Sequence, residues 1–181
     1  MTVHSILGIG RARRIVVRFL FAATAALAIP AAMFAAPLPV SAATAFHMCE
    51  SFGNYCVGSA DLNFGTAVSE RIPGRLIIHD SLGGFFDNLP TYLLRFNADP
   101  TKCVAAASNL SDVVIHACNG GLGVVWARDH NSSSGNDRWI NREASQAKDT
   151  KEYLSGRNNG SQFFLAPVGQ TGAFQRFNFV T

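Results

Sequence analysis

From residue 46 onward the apolar positions come in short runs, not at helical spacing. Runs at 75–78, 92–96, 113–117, 123–127, 138–140 and 162–165 are rich in Val, Ile, Phe and Leu. Turn-forming clusters separate them, among them Gly83-Gly84, Asn97-Ala98-Asp99-Pro100 and Asn119-Gly120-Gly121. Many short strands at about 11-residue spacing, with turn signals between them, predict an all-β barrel or sandwich. No window sustains a 3.6-residue period. The best helix candidate, 143–151, has no apolar stripe and is expected to be a polar loop insertion. The Ser- and Asn-rich stretch 131–136 is expected to be a flexible connection.

The runs repeat three times. The first copy holds Tyr55-Cys56-Val57, Gly65-Thr66-Ala67-Val68 and Leu76-Ile77-Ile78. The second holds Lys102-Cys103-Val104, Val113-Val114-Ile115 and Val124-Val125-Trp126. The third holds Glu152-Tyr153-Leu154, Phe163-Phe164-Leu165 and Gln175-Arg176-Phe177. Cys56, Cys103 and Leu154 lie 47 and 51 residues apart. Such a period marks a unit that cannot bury its apolar face alone and closes a core with its siblings. Their bounds fall roughly at 46–90, 91–136 and 137–181. Trp126 and Phe177 are expected to close that core, while strand alternation leaves the face of Trp139 open.

The first 45 residues have a different character. Arg11, Arg13, Arg14 and Arg18 precede an apolar stretch from Phe19 to Ile29, then Pro30, then small residues ending in Ala43-Thr44-Ala45. This is the order of an export signal, and the mature chain is expected to begin near Phe46 and to be secreted. Without those four arginines, the 15 Lys and Arg fall to 11 against 12 Asp and Glu, a net near −1. The basic balance of the whole chain therefore does not predict a nucleic-acid partner. Once the signal is removed, no membrane insertion is expected.

Four cysteines, at 49, 56, 103 and 118, follow the signal, and an even count in an exported chain points to disulfides. Three pairings are open. Cys49–Cys56 and Cys103–Cys118 are favoured because each closes a short loop within one copy. No C-x-x-C pair is present, His47 beside Cys49 reads as a bystander, and neither a metal nor another cofactor is expected.

The second copy, with Lys102-Cys103-Val104, Val113 to Gly120 and Trp126, resembles the ricin-type β-trefoil (ricin B-like lectin) repeat. Gln175-Arg176-Phe177 looks like that family's closing Gln-x-Trp with Phe for Trp. The resemblance implies an all-β β-trefoil over 46–181, a six-stranded barrel capped by three hairpins. It also implies carbohydrate or cell-surface glycan binding, with Cys103–Cys118 as the disulfide inside the repeat. The family's sugar-gripping Asp, two positions after the first Cys, is absent: Gly58, Ala105 and Gly156 stand there. His116 occupies the stacking position, Asn119 keeps its place, and the closing Gln survives as Gln175. The expected site is therefore a degenerate one around His116 and Asn119, with Ala105 beneath and Gln175 as the third copy's remnant. His116 would lie on the solvent face of a strand whose core face holds Val113, Ile115 and Ala117.

Locally, Cys49 and Cys56 followed by Asp61-Leu62-Asn63-Phe64-Gly65 resemble small secreted actinobacterial protease inhibitors with a crystallin-like Greek-key fold. That resemblance implies a protein partner as the alternative function. No catalytic constellation is present, and the chain is read as a non-enzyme. His79-Asp80-Ser81 holds triad residue types, but neighbours on a strand point to opposite faces. In Ser81 to Asp87 one of Phe85 and Phe86 is expected to staple a long connection, leaving the other as an exposed contact.

Overall fold

The computed structural model describes residues 44–119, 121–170 and 174–181. The export-signal reading of residues 1–45 lies outside these, apart from Thr44 and Ala45. The strands are β1 Phe46–Glu50, β2 Cys56–Gly58, β3 Ser69–Arg71 and β4 Leu76–Phe86; then β5 Leu89–Phe96, β6 Asp99–Ala106, β7 Val113–Ala117 and β8 Val125–Asn131; then β9 Asn136–Asn141, β10 Tyr153–Ser155, β11 Phe164–Ala166 and β12 Phe177–Val180. One α-helix, α1 Arg142–Lys148, and a 3-10 turn at Leu122–Val124 complete the described elements.

Six strands pair in a closed ring. β1 pairs with β4, β4 with β5, β5 with β8, β8 with β9, β9 with β12, and β12 returns to β1, every pair antiparallel. The other six strands form three hairpins, β2 with β3, β6 with β7 and β10 with β11. Each hairpin segment bridges the next: Ala67 with Val114, Asp112 with Phe164, and Gln162 with Ser69. The equivalent positions 67, 112 and 162 come round in turn, one from each copy. The repetition seen in sequence is thus a repetition of strand pairing.

Strand alternation fills the ring. Met48, Ile77, Leu94, Trp126, Trp139 and Phe177, one from each strand, are fully buried in a single apolar cluster. The indole N–H of Trp126 donates to Val104 O at 2.8 Å, so this large ring enters the core with its polar atom satisfied. Towards the ends of β4, β8 and β12 the inward residues become His79, Arg128 and Phe179. The His79 ring stacks on Tyr92 at 5.4 Å between centroids, and Arg128 pairs with the fully buried Asp137 at 2.9 Å. Burial, and then the charge of Arg128, hold the His79 imidazole below its ordinary value. Asp80 pairs with Arg95 instead of His79, so His79-Asp80-Ser81 is a run of strand residues serving different neighbours.

Three local expectations are corrected. Residues 142–148 form a helix, not a loop insertion. Asn141 caps it by accepting from Ala144 N–H at 3.0 Å, and Ala144 and Ser145 are its buried side. Two buried residues in seven are too few to show as a stripe. Residues 131–136 form a tight hairpin turn between β8 and β9. Asn131 pairs with Asn136, and Asn131 Oδ1 accepts from the Ser133 and Ser134 N–H groups. Ser81 to Phe86 belongs to β4 and not to a connection; it carries a bulge, Phe86 packs beside Ala127, Ile140 and Tyr153, and Phe85 stays exposed.

Candidate functional site

The β6–β7 hairpin separates core from surface. Val104, Ala106, Val113 and Ile115 point into the main core, whereas Ala105, Val114 and His116 lie on the opposite face. His116 is directly across from Cys103, whose disulfide to Cys118 holds the strand ends together. The second disulfide joins Cys49 to Cys56, so both expected pairings are present. Above the outer face lies an open cleft of about 540 Å³, floored by Ala105 and walled by His116, Val114, Gly123 and Val124.

The far wall is Glu143, from the first turn of α1. Its position follows from Asn141. The Asn141 Oδ1 caps the helix, while its Nδ2 donates to Gly123 O at 2.8 Å and fastens the helix start to the 3-10 turn. Ser145 adds a second tie by donating to Asn141 O at 2.6 Å and accepting from Glu152 N–H at 2.9 Å. The carboxylate then lies over Gly123, where a Cβ would stand 2.6 Å from Glu143 Oε2. Glu143 and His116 are both exposed, so both ends of the cleft can exchange water for a ligand. Ala105, two positions after Cys103, and Glu143, from a different copy, thus line the same cleft.

The other expected site residues separate. Asn119 lines a neighbouring hollow of about 340 Å³ with Phe64, Thr101, Ala117 and Cys118. Gln175 lies in another region and is 8% exposed. Its amide N–H groups donate to Ser155 Oγ, Ala166 O and Pro167 O at 2.9–3.2 Å, and its carbonyl accepts from Gly169 N–H at 3.4 Å. These bonds use the side chain to fix backbone. Sequence reasoning missed Glu143 and Phe64. The available signals were Asn141 as a helix cap two residues before Glu143, and Asp61 with Asn63 as turn formers before Phe64.

A second group of carboxyls has a different use. Glu70 accepts backbone N–H bonds from Arg157, from Asn158 at 2.8 Å, Asn159 at 2.7 Å and Gly160 at 2.6 Å, fastening β3 to a turn of the third copy. Burial pushes Glu70 up, but these bonds and one from Glu50 outweigh it and hold Glu70 below the usual carboxylate range. Burial, then the Glu70 charge and the hydrogen bond between them, push Glu50 up to about 8. A raised Glu50 beside a lowered Glu70 fits one proton shared across the buried pair. Both side chains are buried. Among the described residues, no group of three or more His, Cys, Asp or Glu could hold a metal ion.

No protein-family model and no curated protein matches the chain. Solved structures do. A mosquitocidal holotoxin matches with a TM-score of 0.58 at 14% identity, over 79% of this chain and 18% of that one. A structure of type II water-soluble Chl binding proteins matches with a TM-score of 0.51 at 10% identity, over 76% of this chain and 90% of that one. The chain thus spans under a fifth of the holotoxin, and at these identities the likeness is one of fold alone.

Proposed function

We propose that the chain is a secreted, non-catalytic β-trefoil module that binds carbohydrate in the cleft between His116 and Glu143. The closed ring of six strands with three cyclically bridged hairpins supports the trefoil reading. Two disulfides support secretion, and among the described residues no helix is long and apolar enough to cross a membrane.

One observation carries the binding reading: an exposed imidazole, an exposed carboxylate and Ala105 line one cleft. A carboxylate accepts from paired hydroxyls through charge-assisted bonds, and a ring packs on the apolar face of a sugar. Among the described residues that line the cleft there is no Lys or Arg, so it suits a neutral or basic sugar better than an acidic one. The cleft is open and buries little of a ligand, so a monosaccharide should bind with a Kd on the order of millimolar, around −4 kcal/mol. Titration of isotope-labelled protein with monosaccharides, followed by NMR, tests this. Shifts should centre on His116, Gly123 and Glu143, and Glu143→Gln should weaken binding about ten-fold. Shifts confined to another face, or binding unchanged in both Glu143→Gln and His116→Ala, would move the site elsewhere.

A second reading rests on the loop closed by Cys49–Cys56. Phe52 at its tip is 77% exposed, and Ser51 N–H donating to Arg176 O at 2.8 Å anchors the loop. An exposed aromatic on a stapled loop suits a protein partner such as a secreted protease with an apolar specificity pocket. Dose-dependent inhibition of such a protease, lost in Phe52→Ala, would favour this reading over the glycan one.

A further inference from the structure

Phe64 is 59% exposed, yet its loop is not loose. Asp61 Oδ1 accepts from Asn63 N–H at 2.9 Å and from Thr66 Oγ1 at 2.6 Å, closing the loop on itself. Ser59 donates to Asp61 O, and Arg75 donates to Ser59 O at 3.2 Å and to Ala60 O at 3.3 Å. The loop is also tied to the second copy. Gly65 N–H donates to Ile115 O at 2.9 Å, and Ile115 N–H donates to Thr66 O at 2.9 Å. An aromatic ring held in water by this many bonds is presented, not left over.

Its surroundings say to what it is presented. The Phe64 and His116 rings lie 6.3 Å apart at 44°. Lys102 Nζ sits 3.3 Å over the Phe64 centroid, which fixes the ring and occupies one of its faces. Gly65 and His116 line the cleft of Glu143, whereas their chain neighbours Phe64 and Ala117 line the hollow of Asn119 and Thr101. The two hollows therefore lie side by side, with His116 lining one and Phe64 lining the other. Each offers an aromatic beside a group that hydrogen-bonds hydroxyls: His116 with Glu143 in one, Phe64 with Asn119 and Thr101 in the other.

We infer that, given a glycan in the His116 cleft, the site continues past Phe64. The ligand is then a neutral chain of at least two sugar units, the second packing on Phe64 and bonding to Asn119. A chain suits the site because two shallow, weak contacts linked in one ligand bind together far better than either alone. Neutrality follows from Glu143, which repels an acidic unit in the first hollow, and from Lys102, whose charge is engaged on Phe64. His116 and Asn119 then contact consecutive units of one ligand.

The test is calorimetric titration of the full mature protein with mono- to tetrasaccharides of β-1,4-linked glucose, N-acetylglucosamine, mannose and galactose. In the series that binds, affinity should rise at least about ten-fold from one unit to two and flatten by about three. Phe64→Ala should remove most of that gain while leaving monosaccharide affinity within about two-fold and the melting temperature within about 2 °C, because the ring is exposed. Glu143→Gln should weaken all lengths alike. Monosaccharide binding with no gain on lengthening, or a gain that survives both Phe64→Ala and Asn119→Ala, overturns the two-hollow site and leaves the cleft reading intact. No binding in any series overturns both.

Discussion

The seam at Glu50 and Glu70 and the cleft at Glu143 use the same side chain to opposite ends. At the seam a carboxylate is buried, and four backbone N–H groups and a second carboxyl take up its accepting capacity. At the cleft a carboxylate is held in place through its helix, by Asn141 and Ser145, while its own oxygens stay exposed. The difference lies in what the backbone needs. The turn 157–160 has several N–H groups in a row and must find an acceptor, whereas the first turn of α1 has already found one in Asn141. Changes at the seam should therefore cost stability, and changes at the cleft should cost binding.

The largest effect is expected from Gly156→Ala. A Cβ there would collide with the carboxyl oxygens of Glu50 and Glu70, forcing apart a buried pair. The loss should be about 4 kcal/mol, read from chemical denaturation. A variant as stable as the parent would mean that the seam does not hold the first and third copies together. Cys103→Ala comes next, because the staple beneath His116 is the one place where the cleft side should also answer in stability. It should cost roughly 2–4 kcal/mol, whereas Ser133→Ala in the β8–β9 turn should cost little. Equal melting temperatures for the two variants would rule this out.

Titration of the seam gives a third, smaller effect with a definite sign. Glu50 rises from 4.5 to about 8 on folding, so the folded state binds its proton more tightly. That stabilisation is complete below about 4.5 and is lost as pH rises towards 8. Glu70 moves the other way: its contribution is present above 4.5 and is lost as pH falls below that value. Melting temperature should therefore peak at mildly acidic pH and decline through neutrality, and Glu50→Gln should flatten the alkaline side. A profile that rises from pH 5 to pH 8 would contradict the shared proton. The smallest effect is on the cleft. Gly123→Ala should push the Glu143 carboxylate aside and weaken sugar binding about three-fold, with melting almost unchanged, because only a flexible side-chain end must move.

The two regions also differ in how far the sequence disclosed them. Strands whose cores are runs of Val, Ile, Leu and Phe were legible, as at Val113 to Ala117, and so were both disulfides, because short spacing within a copy limits the choice. β1, β3 and β12 were not read as strands: Phe46–Glu50, Ser69–Arg71 and Phe177–Val180 place polar or charged residues inside strands, and only pairing across the ring reveals them. The cleft was half legible. His116 and Ala105 belong to one hairpin and follow from alternation, but Glu143 comes from the next copy, and Phe64, in the neighbouring hollow, from the one before. The seam was invisible for the same reason, since Glu70 and its N–H partners lie 87 to 90 positions apart. A single sequence encodes spacing along the chain, and these sites are made between copies.

The pairing of β1 with β12 also sets a schedule. His47 to Glu50 wait for Phe177 to Val180, which are made about 130 residues later. At roughly 5–20 residues per second of synthesis, the edge of β1 stays open for several seconds after it emerges. An open edge is a template for the wrong partner. The interval between the making of β1 and that of β12 is therefore the one in which β1 is most open to pairing with other copies.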